Sequence, residues 1–215
     1  LLYSKTISMF LNVNNQVKNV TKLEDSVQVS LIRMQTLLDQ AKVEPRIKGP
    51  FPIQVYTELL ESVQTCTDIL LSIRLLIMRG FSGKLRETIV IPLNQYRKEL
   101  VINILTLFWI VGESLNSKRP IPHHLQNAKH ALKRMSNAFR KLIQQNKQTL
   151  KEAPGNDIIL FSAYLKLLKD FVTELNHMLE CSKKLFGGSE FIDGLFIIDE
   201  KVAFRASGEY SPNQQ

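Results

Sequence analysis

The sequence has few of the residues that would mark a disulfide-stabilised or metal-dependent domain. Its 215 residues include two cysteines, Cys66 and Cys181, too few for a disulfide scaffold and too far apart for a zinc motif. Nucleophile-elbow, phosphate-loop, dinucleotide-binding and zinc-protease patterns are absent from the sequence. We therefore expect a protein that is not an enzyme and that uses no metal and no cofactor.

The sequence also lacks a hydrophobic run long enough to cross a bilayer. Its most apolar stretch, residues 100–111, is interrupted by Asn103 and Thr106 and is shorter than the roughly 20 residues that a membrane span needs. The sequence shows no signal peptide, which would have a charged start, an apolar core and a cleavage site at small residues. Its first residue is Leu1. We therefore expect a soluble piece of a longer protein.

What the sequence does contain is helical periodicity. Apolar residues recur at alternating three- and four-residue steps, as in helices that bury one seam. The first seam, over residues 10–41, is long enough to resemble a coiled coil, although one step falls on Glu24. Pro45 ends this helix, and a second helix is predicted to lie between Pro52 and Gly80.

Three further helices are predicted after a connector or short helix over residues 81–91. The third, from Pro92 to about Asn116, is apolar on all sides, which predicts a helix buried in the middle of a bundle. The fourth has its seam on residues 125–142, and the fifth begins after a Pro-Gly turn and ends near Gly187.

We therefore predict an all-α fold, an antiparallel bundle of about five main helices with a long first helix. Residues 1–188 form the bundle domain, and residues 189–215 form an irregular C-terminal tail. Within the tail, Leu195–Ile198 is predicted to be either a short strand or an extended segment docked on the bundle.

The positive charge of the chain is concentrated in the fourth helix and its lead-in. The net charge is +8, from 28 basic and 20 acidic residues. Residues 118–151 hold nine basic residues and no acidic one, which leaves 19 basic against 20 acidic residues elsewhere. On a heptad wheel five of these cations fall away from the seam, namely Lys133, Arg134, Arg140, Lys141 and Lys147, so the basic residues form an outward face. The candidate membrane- or anion-contact residues are Lys129, Lys133, Arg134, Arg140, Lys141 and Lys147.

Three interpretations of this basic face remain open. It is a solvated face partly neutralised by acidic neighbours, a surface for anionic lipid headgroups, or a phosphate- or nucleic-acid-binding surface. Nucleic acid is disfavoured because the face holds no aromatic residue for base stacking, since Phe139 lies on the seam.

The connector between the first two helices carries a resemblance to a known family. The resemblance extends to Pro92–Val101 and to Arg119–Leu125, and covers roughly residues 1–187. The most specific element is the connector, followed by Tyr56 and Glu58–Ser62; its residues are Glu44, Pro45, Arg46, Gly49, Pro50, Phe51 and Pro52. These stretches resemble the C-terminal soluble domain of the fungal aromatic-acid-exporter-like family, some members of which are called brefeldin-A-sensitivity proteins or endoplasmic reticulum transporters.

The resemblance implies a cytosolic helical domain that follows a membrane half made of several transmembrane helices. We expect this domain to regulate or assemble a transporter-like protein. The resemblance makes the membrane half of the same polypeptide a partner. From the basic face we expect anionic lipid headgroups as a further partner, and from the long first helix a second copy of the chain. The alternative is a stand-alone helical scaffold that binds partner proteins. The family defines no catalytic residue to carry over, and the connector itself has a sufficient role as a proline-fixed turn.

Overall fold

The computed structural model describes residues 17–45, 51–122, 125, 128–146 and 155–189, and these residues form an all-α bundle. A π-helical turn, Arg86–Val90, lies between the third and the fourth of its six α-helices. The six helices are α1 (Val17–Val43), α2 (Ile53–Arg79), α3 (Gly83–Leu85), α4 (Asn94–Ser117), α5 (Ala128–Gln145) and α6 (Gly155–Phe186). The predicted fold class is confirmed.

The ends of the helices follow the proline and glycine residues of the sequence. α1 ends two residues before Pro45, and Pro52 directly precedes α2. Gly80 and Gly187 terminate α2 and α6 with φ angles of 73° and 83°, in the left-handed region that glycine adopts without steric strain. The predicted helix boundaries are therefore reproduced to within a few residues, apart from those that fall outside the described residues.

The bundle is built on the antiparallel pair α2 and α6. α1 packs against α2, whereas α4 and α5 pack against each other and against α6. Phe108 of α4 meets Phe171 of α6 with ring centroids 5.8 Å apart, and Phe139 of α5 meets Phe161 of α6 at 4.9 Å. The hydrophobic core thus runs along α6, which contacts three of the other long helices.

A short strand pair fastens the loop after α4 to the end of α6. β1 (Ile121–Pro122) pairs in parallel with β2 (Gly188–Ser189), and the Ile121 N–H donates to the carbonyl of Gly187 at 3.0 Å. Ile121 is fully buried. One stretch of the family resemblance therefore anchors the entrance to α5.

The expectation that the third predicted helix is buried on all sides is wrong. α4 buries one row, Leu100, Ile104, Leu107 and Val111, against the bundle. Trp109 and Ile102, on the other side, are 70% and 62% exposed. The helix lies at the edge of the bundle, because α5 and α6 cover one side and no described element packs extensively on the other.

α4 is also the one described helix long and apolar enough to cross a membrane by length and composition alone. The apolar stretch of residues 100–111 is only part of this helix, which has 24 residues. One third of its most apolar window is buried in the bundle. In this structure α4 is part of the bundle, because its buried row packs against α5 and α6.

The predicted long first helix is 27 residues long over its described part, and α6, with 32 residues, is longer. The start of the first seam, residues 10–16, lies outside the described residues. So does the predicted strand or docked segment Leu195–Ile198, together with the tail after Ser189.

Candidate functional site

α5 positions the predicted basic face. Its apolar side is buried through Ala128, Ala131, Leu132, Met135 and Phe139, which fixes the opposite side toward solvent. Lys147 lies outside the described residues. The other five predicted contact residues are exposed on α5: Lys129, Lys133, Arg134, Arg140 and Lys141.

The structure divides these cations into two rows. Lys129, Lys133 and Arg140 are spaced by four and seven residues and form one row, while Arg134 and Lys141 form a second row about 100° around the helix. The guanidinium of Arg134 pairs with the carboxylate of Glu99 on α4, and both side chains are about half exposed. The second row is therefore partly neutralised by an acidic neighbour.

The first row borders an open groove between α5 and α6. Lys169 of α6 adds a fourth cation across from the row. The remaining lining residues are Leu132, Ser136, Asn137, Val172 and Thr173, and no lining residue is acidic. Among the described residues, the side chains of Lys133, Arg140 and Lys169 form no ion pair. This basic groove combines four cations with hydroxyl and amide groups, which suits the oxygens of an anionic group.

The proline-rich connector has a structural role in its described residues. The rings of Phe51 and Tyr56 stack with centroids 4.8 Å apart and planes 3° from parallel. Pro52 directly precedes the helix, and its carbonyl accepts a hydrogen bond from the N–H of Tyr56. Glu44 and Pro45 follow the end of α1, whereas Arg46, Gly49 and Pro50 lie outside the described residues.

A second polar cluster lies between α2 and α6. Glu58 of α2 faces His177 and Cys181 of α6, and their nearest oxygen, nitrogen and sulfur atoms all lie within 4.8 Å of one another. Cys181 is fully buried, Glu58 is half-buried and His177 is exposed. Burial, followed by the negative charge of Glu58, raises the pKa of the Cys181 thiol.

Sequence reasoning missed Lys169 and the second cluster. Lys169 lies in the fifth predicted helix, outside the acid-free segment, and only the packing of α6 against α5 brings it to the groove. His177 and Cys181 stand four residues apart in a helix, a spacing that places both on one face. That signal was present in the sequence, but Cys181 and Glu58 are 123 residues apart.

Comparison with known proteins identifies a family. The family model described as the brefeldin A-sensitivity protein 4-like domain matches residues 8–190. The match covers α1 to α6, including the basic groove and the connector. Neither the curated proteins nor the solved structures include one that matches the chain.

Proposed function

The chain belongs to the brefeldin A-sensitivity protein 4-like domain family, and from this premise we propose that it is a non-catalytic domain beneath a membrane. In this proposal the domain regulates or assembles a multi-pass, transporter-like protein, and it follows that protein's membrane half on the cytosolic side. The basic groove between α5 and α6 lies against anionic lipid headgroups.

The observation that carries the proposal is the basic groove. Four cations, Lys129, Lys133, Arg140 and Lys169, border one opening without an acidic lining residue. Each Lys or Arg near an anionic membrane surface is worth about 1 kcal/mol. Four such residues supply about 4 kcal/mol of attraction, less the cost of ordering their side chains. That amount suits a domain already held at the membrane by its own polypeptide.

The cellular setting of the proposal rests on the resemblance of the connector and its neighbours. In this setting, which we also propose, the protein is fungal. The domain is the C-terminal part of its polypeptide, and the membrane half is a transporter of the endoplasmic reticulum. Basic residues are favoured on the cytosolic side of membrane proteins, close to the membrane segments. The excess of charge on α5 fits that side of the bilayer.

Vesicle sedimentation tests the proposal. We expect the chain to co-sediment with phosphatidylcholine vesicles that contain phosphatidylserine and not with phosphatidylcholine alone. The triple charge reversal Lys129→Glu, Lys133→Glu and Arg140→Glu should weaken binding about a hundredfold or more, since each lost cation contributes about 1 kcal/mol and each new carboxylate repels the surface. The binding should also weaken as salt is raised.

The matched control changes the net charge equally at another place. Lys22→Glu, Arg33→Glu and Arg86→Glu replace three exposed cations outside the groove and should bind vesicles almost as well as the unchanged chain. Equal recovery with and without phosphatidylserine, or equal loss in both triple variants, contradicts the proposal. Binding to oligonucleotides with a steep salt dependence, in the absence of vesicle binding, favours a nucleic-acid surface instead.

A second candidate function is a helical scaffold that binds a partner protein or a second copy through α1. The observation that favours it is the outer side of α1, where Val29, Ile32 and Val43 are more than half exposed. Exposed apolar side chains on one side of a helix are typical of helix–helix interfaces. A chain that self-associates through α1 and ignores anionic vesicles would support this candidate over the first.

A further inference from the structure

We propose that Glu58, His177 and Cys181 bind one Zn²⁺ ion between α2 and α6. The three side chains come from the two helices that form the centre of the bundle, and they share no residue with the basic groove. The proposal therefore stands independently of the membrane role.

Two of the distances between the donor atoms are close to those of a tetrahedral metal site. The Cys181 sulfur lies 3.9 Å from the Glu58 Oε2 and 3.9 Å from the His177 Nδ1. Ligands of a tetrahedral Zn²⁺, with bonds of about 2.0–2.3 Å, stand about 3.5 Å apart. At the sulfur this requires a contraction of a few tenths of an ångström. The donor atoms of Glu58 and His177, which lie within 4.8 Å of each other, come closer by side-chain rotation when the metal binds.

The chemistry of the donors selects the metal. One thiolate, one imidazole and one carboxylate form a mixed sulfur, nitrogen and oxygen set, which suits Zn²⁺ and not the oxygen-seeking Mg²⁺ or Ca²⁺. His177 is exposed, so a solvent molecule can take the fourth position. On binding, the S–H bond of Cys181 is replaced by an S–Zn bond and the proton leaves to solvent, with no change in oxidation state.

Two neighbouring side chains contact the ligand atoms when no metal is bound. The buried Ser62 hydroxyl is hydrogen-bonded to the His177 Nδ1 at 2.8 Å, and this bond is given up when Nδ1 becomes a metal ligand. The ammonium of Lys184 lies 3.5 Å from the Glu58 Oε2 and is 58% exposed. Both contacts compete with the metal, and the exposed ion pair is the weaker competitor.

Cobalt titration of the untagged, chelator-treated chain tests the site. Co²⁺ reports a thiolate ligand by a sulfur-to-metal charge-transfer band in the near ultraviolet. We expect one Co²⁺ per chain, with this band, and its loss when Zn²⁺ displaces Co²⁺. Cys181→Ser should abolish the band, and His177→Ala and Glu58→Gln should weaken binding at least tenfold. Lys184→Gln should tighten binding severalfold, because it removes the cation that competes for Glu58.

Each ligand has a matched control of the same residue type. Cys66→Ser, His130→Ala and Glu61→Gln change a cysteine, a histidine and a glutamate outside the cluster and should leave the cobalt band and its affinity unchanged. Zn²⁺ should raise the melting temperature of the unchanged chain and not that of His177→Ala, whose side chain is exposed and whose fold circular dichroism can verify. Absence of the band in the unchanged chain, or its persistence in Cys181→Ser, overturns the proposal.

Discussion

At the scale of single residues, Tyr164 is expected to make the free energy of unfolding fall as the pH becomes alkaline. The side chain is buried in the core, with its ring 5.6 Å from that of Phe161. Burial raises the pKa of its hydroxyl to about 12. The unfolded chain releases this proton near the ordinary tyrosine pKa of about 10, whereas the folded chain retains it. The free energy of unfolding is thus unaffected by this group below about pH 10, and it falls as the pH rises toward 12.

The variant Tyr164→Phe isolates this contribution. The difference in unfolding free energy between the unchanged chain and Tyr164→Phe should be constant at neutral pH and shift by on the order of 1 kcal/mol in favour of the variant by about pH 11. Urea denaturation at a series of pH values measures it. Tyr96→Phe, which changes an exposed tyrosine, should show no such shift. A pH-independent difference for Tyr164→Phe would contradict the assignment.

At the scale of helices, one ion pair joins α1 to α2. Glu24 interrupts the apolar seam of α1, and the structure gives the reason: its Oε1 accepts a hydrogen bond from the Nε of Arg74 at 2.8 Å. Both side chains are largely buried, at 6% and 12% exposure. Removal of one partner leaves a buried charge uncompensated, which costs far more than the net worth of the pair.

Arg74→Met should therefore destabilise the chain by about 3 kcal/mol, as measured by urea unfolding. The double variant Glu24→Leu and Arg74→Leu should recover most of the loss, because apolar residues of similar volume replace a buried pair at little cost. The exposed pair Lys42 and Asp39 is the control, and Lys42→Met should change stability by less than about 1 kcal/mol. If Arg74→Met and Lys42→Met lowered the free energy of unfolding equally, the buried pair would contribute no more to stability than the exposed one.

Periodicity in the sequence is enough to predict each long helix but not the direction from which its neighbours come. The seam of α5, with Leu132, Met135 and Phe139, was predictable because polar residues define its other side. α4 is apolar all round, so its sequence does not distinguish the buried Ile104 from the exposed Trp109. Only the placement of α5 and α6 makes that distinction.

The candidate sites also depend on how the helices pack against each other, which the sequence does not predict. The cations of α5 lie in one acid-free segment, so the sequence predicts their shared face. Lys169 joins them only through the packing of α6 on α5. The Glu58, His177 and Cys181 cluster depends on α2 and α6 lying antiparallel in one register. Local sequence predicts the composition of a helix face, and the side chains that meet across two faces depend on tertiary structure.

At the scale of the whole molecule, the basic groove and the apolar face of α4 point in different directions. α4 packs against both α5 and α6, and so fills one side of that helix pair. The groove opens between the same two helices, and must therefore lie on the side that α4 does not cover. Trp109 lies about 170° around α4 from the buried row. A bilayer held by the groove is expected to leave Trp109 in water.

Trp109 is the one tryptophan of the sequence, so its fluorescence reports which face meets the lipid. When phosphatidylserine-containing vesicles bind the unchanged chain, its emission should not shift to the blue and acrylamide should still quench it. A chain with Trp109→Phe and Thr173→Trp carries the reporter at an exposed position of the groove instead, and its emission should shift to the blue on binding. The opposite pattern, a shift for Trp109 and none for the groove reporter, would assign the lipid to α4. The two reporters thus separate attraction by the cations of the groove from burial of the apolar face, which sedimentation alone does not.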